Sequence, residues 1–142
     1  MDRRSLITRG LATVVAVGAA PTAFAAPAAA DAAIVAAWDR RAGAYSAYWA
    51  LGDTSRDYPA EHRLMVIVDE AEAVIRAATA TTPIGVEMQI WTALYHFQSG
   101  SLEDDAASLR RDLAYFEAKN DDLDWNEGLL ISAIRSVRRL AA

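Results

Sequence analysis

The residues best suited to bind a metal ion lie in one acidic stretch near the C-terminal end, Asn120-Asp121-Asp122-Leu123-Asp124-Trp125-Asn126-Glu127-Gly128. Three oxygen-bearing residues alternate there as calcium ligands do: Asp122, Asp124 and Asn126. The rest of the pattern of a calcium loop is missing. Its sixth position needs glycine and is Glu127, and its twelfth needs a bidentate glutamate and is Ala133. We therefore interpret Asp124 and Glu127 as a capping box at the start of a helix.

The histidines and serines give equally little support for catalysis. His62 and His96 fall on different predicted helices, and neither follows a glutamate at the spacing that dimetal bundles use. Asp69 and Glu70 approach His96 only if the fold brings them there, so a metal or acid–base site is kept as a minor hypothesis. The sequence has no cysteine, no GxSxG motif and no glycine-rich phosphate loop. We predict no catalytic residue, no cofactor and no metal, and the sequence favours a non-enzymatic protein.

The elements that carry these residues all have helical periodicity. Asp31 is a candidate N-cap of a first helix that ends near Gly52. Its apolar residues recur at intervals of four, seven and four: Ile34, Trp38, Tyr45 and Trp49. A second helix begins near Pro59, and on it Glu72 and Arg76 stand one turn apart, as an exposed ion pair would.

Three further helices follow from capping and turn residues. Thr82-Pro83 begins the third helix, and its predicted buried face contains Val86, Ile90, Leu94 and Phe97. Ser101 and Asp104 form a variant capping box for a fourth helix that continues through Leu113 and Phe116. Asp124 begins the fifth. The sequence predicts an all-α fold, a compact bundle of about five short antiparallel helices after a cleavable N-terminal signal helix.

The first predicted helix also carries the candidate interaction surface. Tyr48 and Trp49 are consecutive, so their side chains point about 100° apart around the helix axis and cannot both face the core. With Arg41 and Tyr45 they would form the aromatic and arginine surface that is typical of interface hot spots. The alternative is that these rings pack against the predicted loop at residues 52–58.

The N-terminal residues have the order of an export signal. Arg3 and Arg4 precede Leu6 and Ile7, as in a twin-arginine signal, although Asp2 and Thr8 depart from the fuller pattern and leave the general secretory route open. An apolar run at residues 11–20 is too short to span a bilayer. Small residues at Ala23 and Ala25 predict cleavage after Ala25.

These features predict three segments: an export signal at residues 1–25, an Ala/Pro tether at residues 26–30 and a helical domain at residues 31–142. The expected partner of the signal is an export translocase, and the expected location is the periplasm or outside the cell. The formal net charge is −5 at pH 7 and becomes more negative once the signal is removed. That charge argues against nucleic-acid partners and, with the short apolar run, no stable membrane anchor is expected.

Four segments together resemble small uncharacterised alphaproteobacterial proteins, some of them prophage-associated: the Arg3-Arg4 start, AYWALGD, TTPIGVE and DLAYFEAKNDDLDWNEGLL. The resemblance extends over nearly the full length and implies no activity or functional residue. A phage context implies a second hypothesis, a cytoplasmic or virion-associated accessory protein that retains its N-terminal helix. The first hypothesis is an exported helical protein with an interaction or structural role.

Overall fold

A computed structural model describes residues 27–52, 58–98 and 100–142 of the chain, with side chains from Asp31 onward. These ranges contain six α-helices and one 3₁₀ turn and no strand. The helices are α1 (Pro27–Leu51), α2 (Tyr58–Ala77), α3 (Pro83–Phe97), α4 (Leu102–Arg110), α5 (Leu113–Ala118) and α6 (Trp125–Leu140). The 3₁₀ turn is Asn120–Asp122. The predicted all-α bundle is confirmed.

Two helix pairs form the bundle. α1 packs mainly against α2, and α3 packs mainly against α6, with α3 also contacting α1 and α4. One cluster of buried residues joins both pairs and contains Trp38, Trp91 and Phe116 among its large side chains. A smaller cluster around Tyr45 and Val68 extends from it along α1 and α2. None of the helices in the described ranges combines the length and the apolar character that crossing a lipid bilayer requires.

The described part of the first helix starts at Pro27, within the predicted tether and four residues before the predicted cap. The alanines that follow Pro27 have high helix propensity. Asp31 is therefore not an N-cap. It is 4 % exposed, and its carboxylate accepts hydrogen bonds from the backbone nitrogen and the hydroxyl of Thr81, at 3.0 Å and 2.8 Å. These bonds hold the pKa of Asp31 below its usual range and attach the α2–α3 turn to α1.

Gly85 makes room for this contact. A Cβ atom at Gly85 would stand 2.5 Å from Oδ1 of Asp31, which is closer than the two atoms can approach. The third helix starts at Pro83 as predicted, and Thr82 caps it, since its side chain accepts a hydrogen bond from the backbone nitrogen of Gly85. The buried face of α3 differs from the prediction. Met88 and Trp91 are buried with Leu94, whereas Phe97 is 61 % exposed.

The predicted fourth helix is two helices, because the backbone of Arg111 takes the left-handed conformation, with φ of 56°. The side chain of Asp112 then caps α5 by accepting a hydrogen bond from the backbone nitrogen of Tyr115. Arg138 of α6 stabilises the break by donating from Nη2 to the Arg111 carbonyl at 2.9 Å. The two predicted capping boxes, Ser101 with Asp104 and Asp124 with Glu127, are both confirmed.

Candidate interaction site

The structure divides the predicted interaction surface into buried and accessible residues. Arg41 is 0 % exposed and Tyr45 is 7 % exposed, so neither side chain is available to a partner. Tyr48 and Trp49 are half-buried. The prediction is therefore wrong in including Arg41 and Tyr45, because α2 and α3 cover the side of α1 that carries them.

Arg41 lies in a cage of aromatic rings and one carboxylate. Its Cζ atom is 4.4 Å from the ring centroid of Tyr95, 5.1 Å from that of Tyr45 and 5.3 Å from that of Trp38. Its Nε donates a hydrogen bond to Oε1 of Glu72 at 2.7 Å. We call these five residues the Arg41 cage. It joins α1, α2 and α3, and each ring attracts the guanidinium through its negative face.

The two terminal nitrogens of Arg41, Nη1 and Nη2, are buried and have no hydrogen-bond partner. A buried guanidinium without such partners is costly, and the aromatic faces around it supply only part of the compensation. The carboxylate of Glu72 is therefore the main electrostatic partner of a cation whose side chain is fully buried.

Glu72 does not form the exposed pair predicted with Arg76. Its side chain is 13 % exposed, and its second oxygen, Oε2, lies 2.8 Å from Nε2 of the exposed His96. The acidic neighbour of His96 is thus Glu72, and not Asp69 or Glu70 as the sequence suggested. A cavity of about 350 Å³ borders the Glu72–His96 pair. Among the described residues, no group of three or more His, Asp or Glu side chains is arranged to hold a metal ion.

The rings of the Arg41 cage also support Trp49. The ring centroids of Tyr45 and Tyr95 are 4.8 Å apart, and those of Tyr45 and Trp49 are 6.1 Å apart. Burial raises the pKa of the Tyr45 and Tyr95 hydroxyls. One side of the Trp49 ring packs against Tyr45, which in turn packs against Tyr95.

A second, larger cavity of about 520 Å³ lies where the end of α1 meets the start of α2. Its walls include three aromatic rings, a carboxylate and a leucine from α4: Tyr48, Trp49, Tyr58, Glu61 and Leu102. We call it the aromatic cavity. Tyr58 is 64 % exposed and Leu102 is 73 % exposed, so both side chains are accessible beside the cavity.

Sequence reasoning identified Tyr48 and Trp49 in this cavity but missed Tyr58, Glu61 and Leu102. The sequence contained a signal for the exposure of two of them. Tyr58 and Leu102 are the first residues of their helices and lie outside the repeating apolar faces. Which of these helix starts come together depends on the tertiary packing, and local periodicity does not contain that information.

A third cluster combines a cation, an aromatic ring and a carboxylate near the surface. Lys119 donates to Oδ1 of Asp104 at 2.6 Å, and its Nζ lies 5.1 Å from the ring centroid of Tyr115. The Tyr115 hydroxyl donates to the same carboxylate oxygen at 2.8 Å. Partial burial acts to raise the pKa of Asp104, but hydrogen bonds from Lys119, the Ser101 backbone and Tyr115 outweigh it and lower the pKa to about 2.

The predicted export-signal residues Arg3, Arg4, Leu6 and Ile7 and the cleavage-site residues Ala23 and Ala25 lie outside the described residues.

Comparison with known proteins gives no match: no protein-family model, no curated protein and no solved structure is detectably similar to this chain.

Proposed function

We propose that this protein is exported and acts as a small helical interaction module that binds another protein through the aromatic cavity. Support for the binding role comes from accessible rings in a preformed concave site. Support for export comes from the order of basic, apolar and small residues at the N-terminus. The proposed binding surface thus lies at the end of α1, and it also includes residues of α2 and α4.

The observation that carries the binding role is the exposure of Tyr58 and Leu102 beside a cavity of about 520 Å³. Tyrosine and tryptophan are enriched among the residues that dominate binding energy in protein interfaces. Exposed apolar side chains that cluster around a cavity are typical of binding sites, whereas single exposed side chains are common everywhere.

The support of Trp49 also favours binding. Its ring packs against Tyr45, which in turn packs against Tyr95. A ring that is already fixed loses little conformational freedom when a partner binds, so more of the contact energy contributes to affinity.

A substitution at Tyr58 tests the binding role. Wild-type protein and the Tyr58→Ala variant are cross-linked in native cells, and the attached proteins are identified and quantified by mass spectrometry. We expect one partner to be enriched with wild type and to fall at least about tenfold with Tyr58→Ala, as for an aromatic hot spot. Trp125→Ala is the matched control, because Trp125 is 79 % exposed, begins α6 and does not line the cavity. Equal enrichment with both variants contradicts the binding role.

Export has a separate test. Protein recovered from fractionated native cells should begin at Ala26 and be found in the periplasmic or extracellular fraction. If the intact mass shows that the chain begins at Met1 or Asp2, export is contradicted. That result would support the second hypothesis, a cytoplasmic or phage-associated accessory protein.

A further inference from the structure

We propose that the aromatic cavity binds the cationic end of a basic side chain, the guanidinium or ammonium group of an arginine or lysine on the partner protein. This inference rests on the proposed binding function and specifies the chemistry that the same cavity recognises. The juxtaposition that carries it is three aromatic side chains and the carboxylate of Glu61 around one cavity.

The composition of the cavity favours a cation over a purely apolar ligand. The faces of tyrosine and tryptophan rings attract a positive charge, and tryptophan does so most strongly. Tyr48 and Trp49 of α1 and Tyr58 of α2 provide such rings. Glu61, in the first turn of α2, adds a negative charge to the same wall.

The protein uses this combination twice for its own cations. Arg41 is held by aromatic rings and by Glu72. Lys119 is held by the ring of Tyr115 and by Asp104. In both clusters the carboxylate oxygen is within 2.7 Å of the cation's nitrogen. The aromatic cavity repeats the rings and the carboxylate.

The described residues that line the aromatic cavity include no lysine, arginine or histidine. The formal net charge of −5 at pH 7 favours the approach of a basic partner over an acidic one. A volume of about 520 Å³ is within the usual range for ligand sites and is larger than one extended basic side chain needs.

Glu61 also stabilises the start of α2, and the test must separate this structural role from ligand binding. A carboxylate in the first turn of a helix interacts favourably with the helix dipole. If that were its only role, replacing Glu61 by glutamine would change stability slightly and would leave the affinity for a cation unchanged.

The experiment compares two blocked peptides, Gly-Gly-Arg-Gly-Gly and the same peptide with citrulline in place of arginine. Citrulline has nearly the same shape as arginine but carries no charge. Each peptide is titrated into ¹⁵N-labelled protein purified from its native host, and the indole N–H resonance of Trp49 is followed by NMR. We expect the arginine peptide to shift this resonance and to bind about fivefold more tightly than the citrulline peptide.

Two matched variants locate the charge. Glu61→Gln should weaken binding of the arginine peptide about threefold and leave the citrulline peptide unaffected. Glu70→Gln removes an exposed carboxylate from the same helix outside the cavity and should leave both affinities unchanged. Equal binding of the two peptides overturns the cationic inference, and so does the absence of any shift at Trp49.

The outcomes also separate this inference from the proposed function. If the citrulline peptide binds as well as the arginine peptide while Tyr58→Ala still loses its cellular partner, the cavity binds a protein through neutral contacts and the cationic inference is wrong. If the arginine peptide binds selectively but no cellular partner depends on Tyr58, the cation site stands and the protein-binding role fails.

Discussion

The Arg41 cage and the aromatic cavity both take rings from α1 and a carboxylate from α2. In the cage, α1 supplies Trp38 and Tyr45, and α2 supplies Glu72. In the cavity, α1 supplies Tyr48 and Trp49, and α2 supplies Glu61. The difference is that the cage is closed by Tyr95 of α3 and contains the chain's own cation, whereas the cavity is open.

The position along α1 and α2 therefore determines whether such residues stabilise the fold or remain accessible to a ligand. Midway along α1, a third helix covers the rings and removes Arg41 from water, so the carboxylate stabilises the fold. At the end of α1, the rings keep part of their surface exposed, and the carboxylate remains available to a ligand. Three glutamates on α2 allow the comparison to be tested with one kind of substitution.

The largest effect on stability is expected for Glu72→Gln. This change leaves the fully buried Arg41 cation without its charged partner and should lower the free energy of unfolding by about 3 kcal/mol. Urea unfolding followed by circular dichroism measures it. Glu70→Gln, on the exposed side of α2, should stay within about 0.5 kcal/mol of wild type. Similar small losses for both variants would show that the cage does not need its carboxylate.

A smaller, pH-dependent effect is expected at the Lys119 cluster. The folded pKa of Asp104 is about 2, below its ordinary value of 3.8, so its ionised form stabilises the fold above pH 4 and this contribution is lost as the pH falls toward 2. Asp104→Asn should therefore cost about 2 kcal/mol at pH 6. The difference from wild type should shrink toward zero at pH 2, measured by urea unfolding at both pH values. A difference that is independent of pH would contradict the ionic role.

The smallest effect on stability is expected at the aromatic cavity. Tyr58→Ala and Glu61→Gln should each change the free energy of unfolding by no more than about 0.5 kcal/mol, because Tyr58 is largely exposed and Glu61 contributes mainly through the helix dipole. The same urea experiment measures both. A loss as large as that of Glu72→Gln would identify the cavity residues as part of the core and would remove the contrast with the cage.

Local signals in the sequence predicted the helices and several of their ends. The capping residues Ser101 and Asp124 act within a few positions of the backbone groups that they bind, so sequence alone reveals them. The position of Asp31 inside α1 and the break at Arg111 were missed. Asp31 accepts hydrogen bonds from Thr81, fifty positions away, and the Arg111 carbonyl accepts one from Arg138; local sequence patterns do not reveal such tertiary contacts.

The burial of Arg41 had a partial signal in the sequence. Arg41 is three residues after Trp38 and four before Tyr45, which places it in the middle of the apolar face of α1. Arginine is usually exposed, and the reason for its burial here is the ring of Tyr95 on α3, which no pattern within α1 predicts. The periodicity thus fixed the direction of the side chain, and the packing of a distant helix determined its environment.

The most direct test of the proposed cation site is to locate a bound basic side chain by NMR. In a sample of the protein with the blocked Gly-Gly-Arg-Gly-Gly peptide, we predict intermolecular NOEs from the arginine side-chain protons to the ring protons of Tyr48, Trp49 and Tyr58. NOEs only to rings outside the cavity, such as the exposed Trp125, would contradict the assignment of the aromatic cavity as a site for cations.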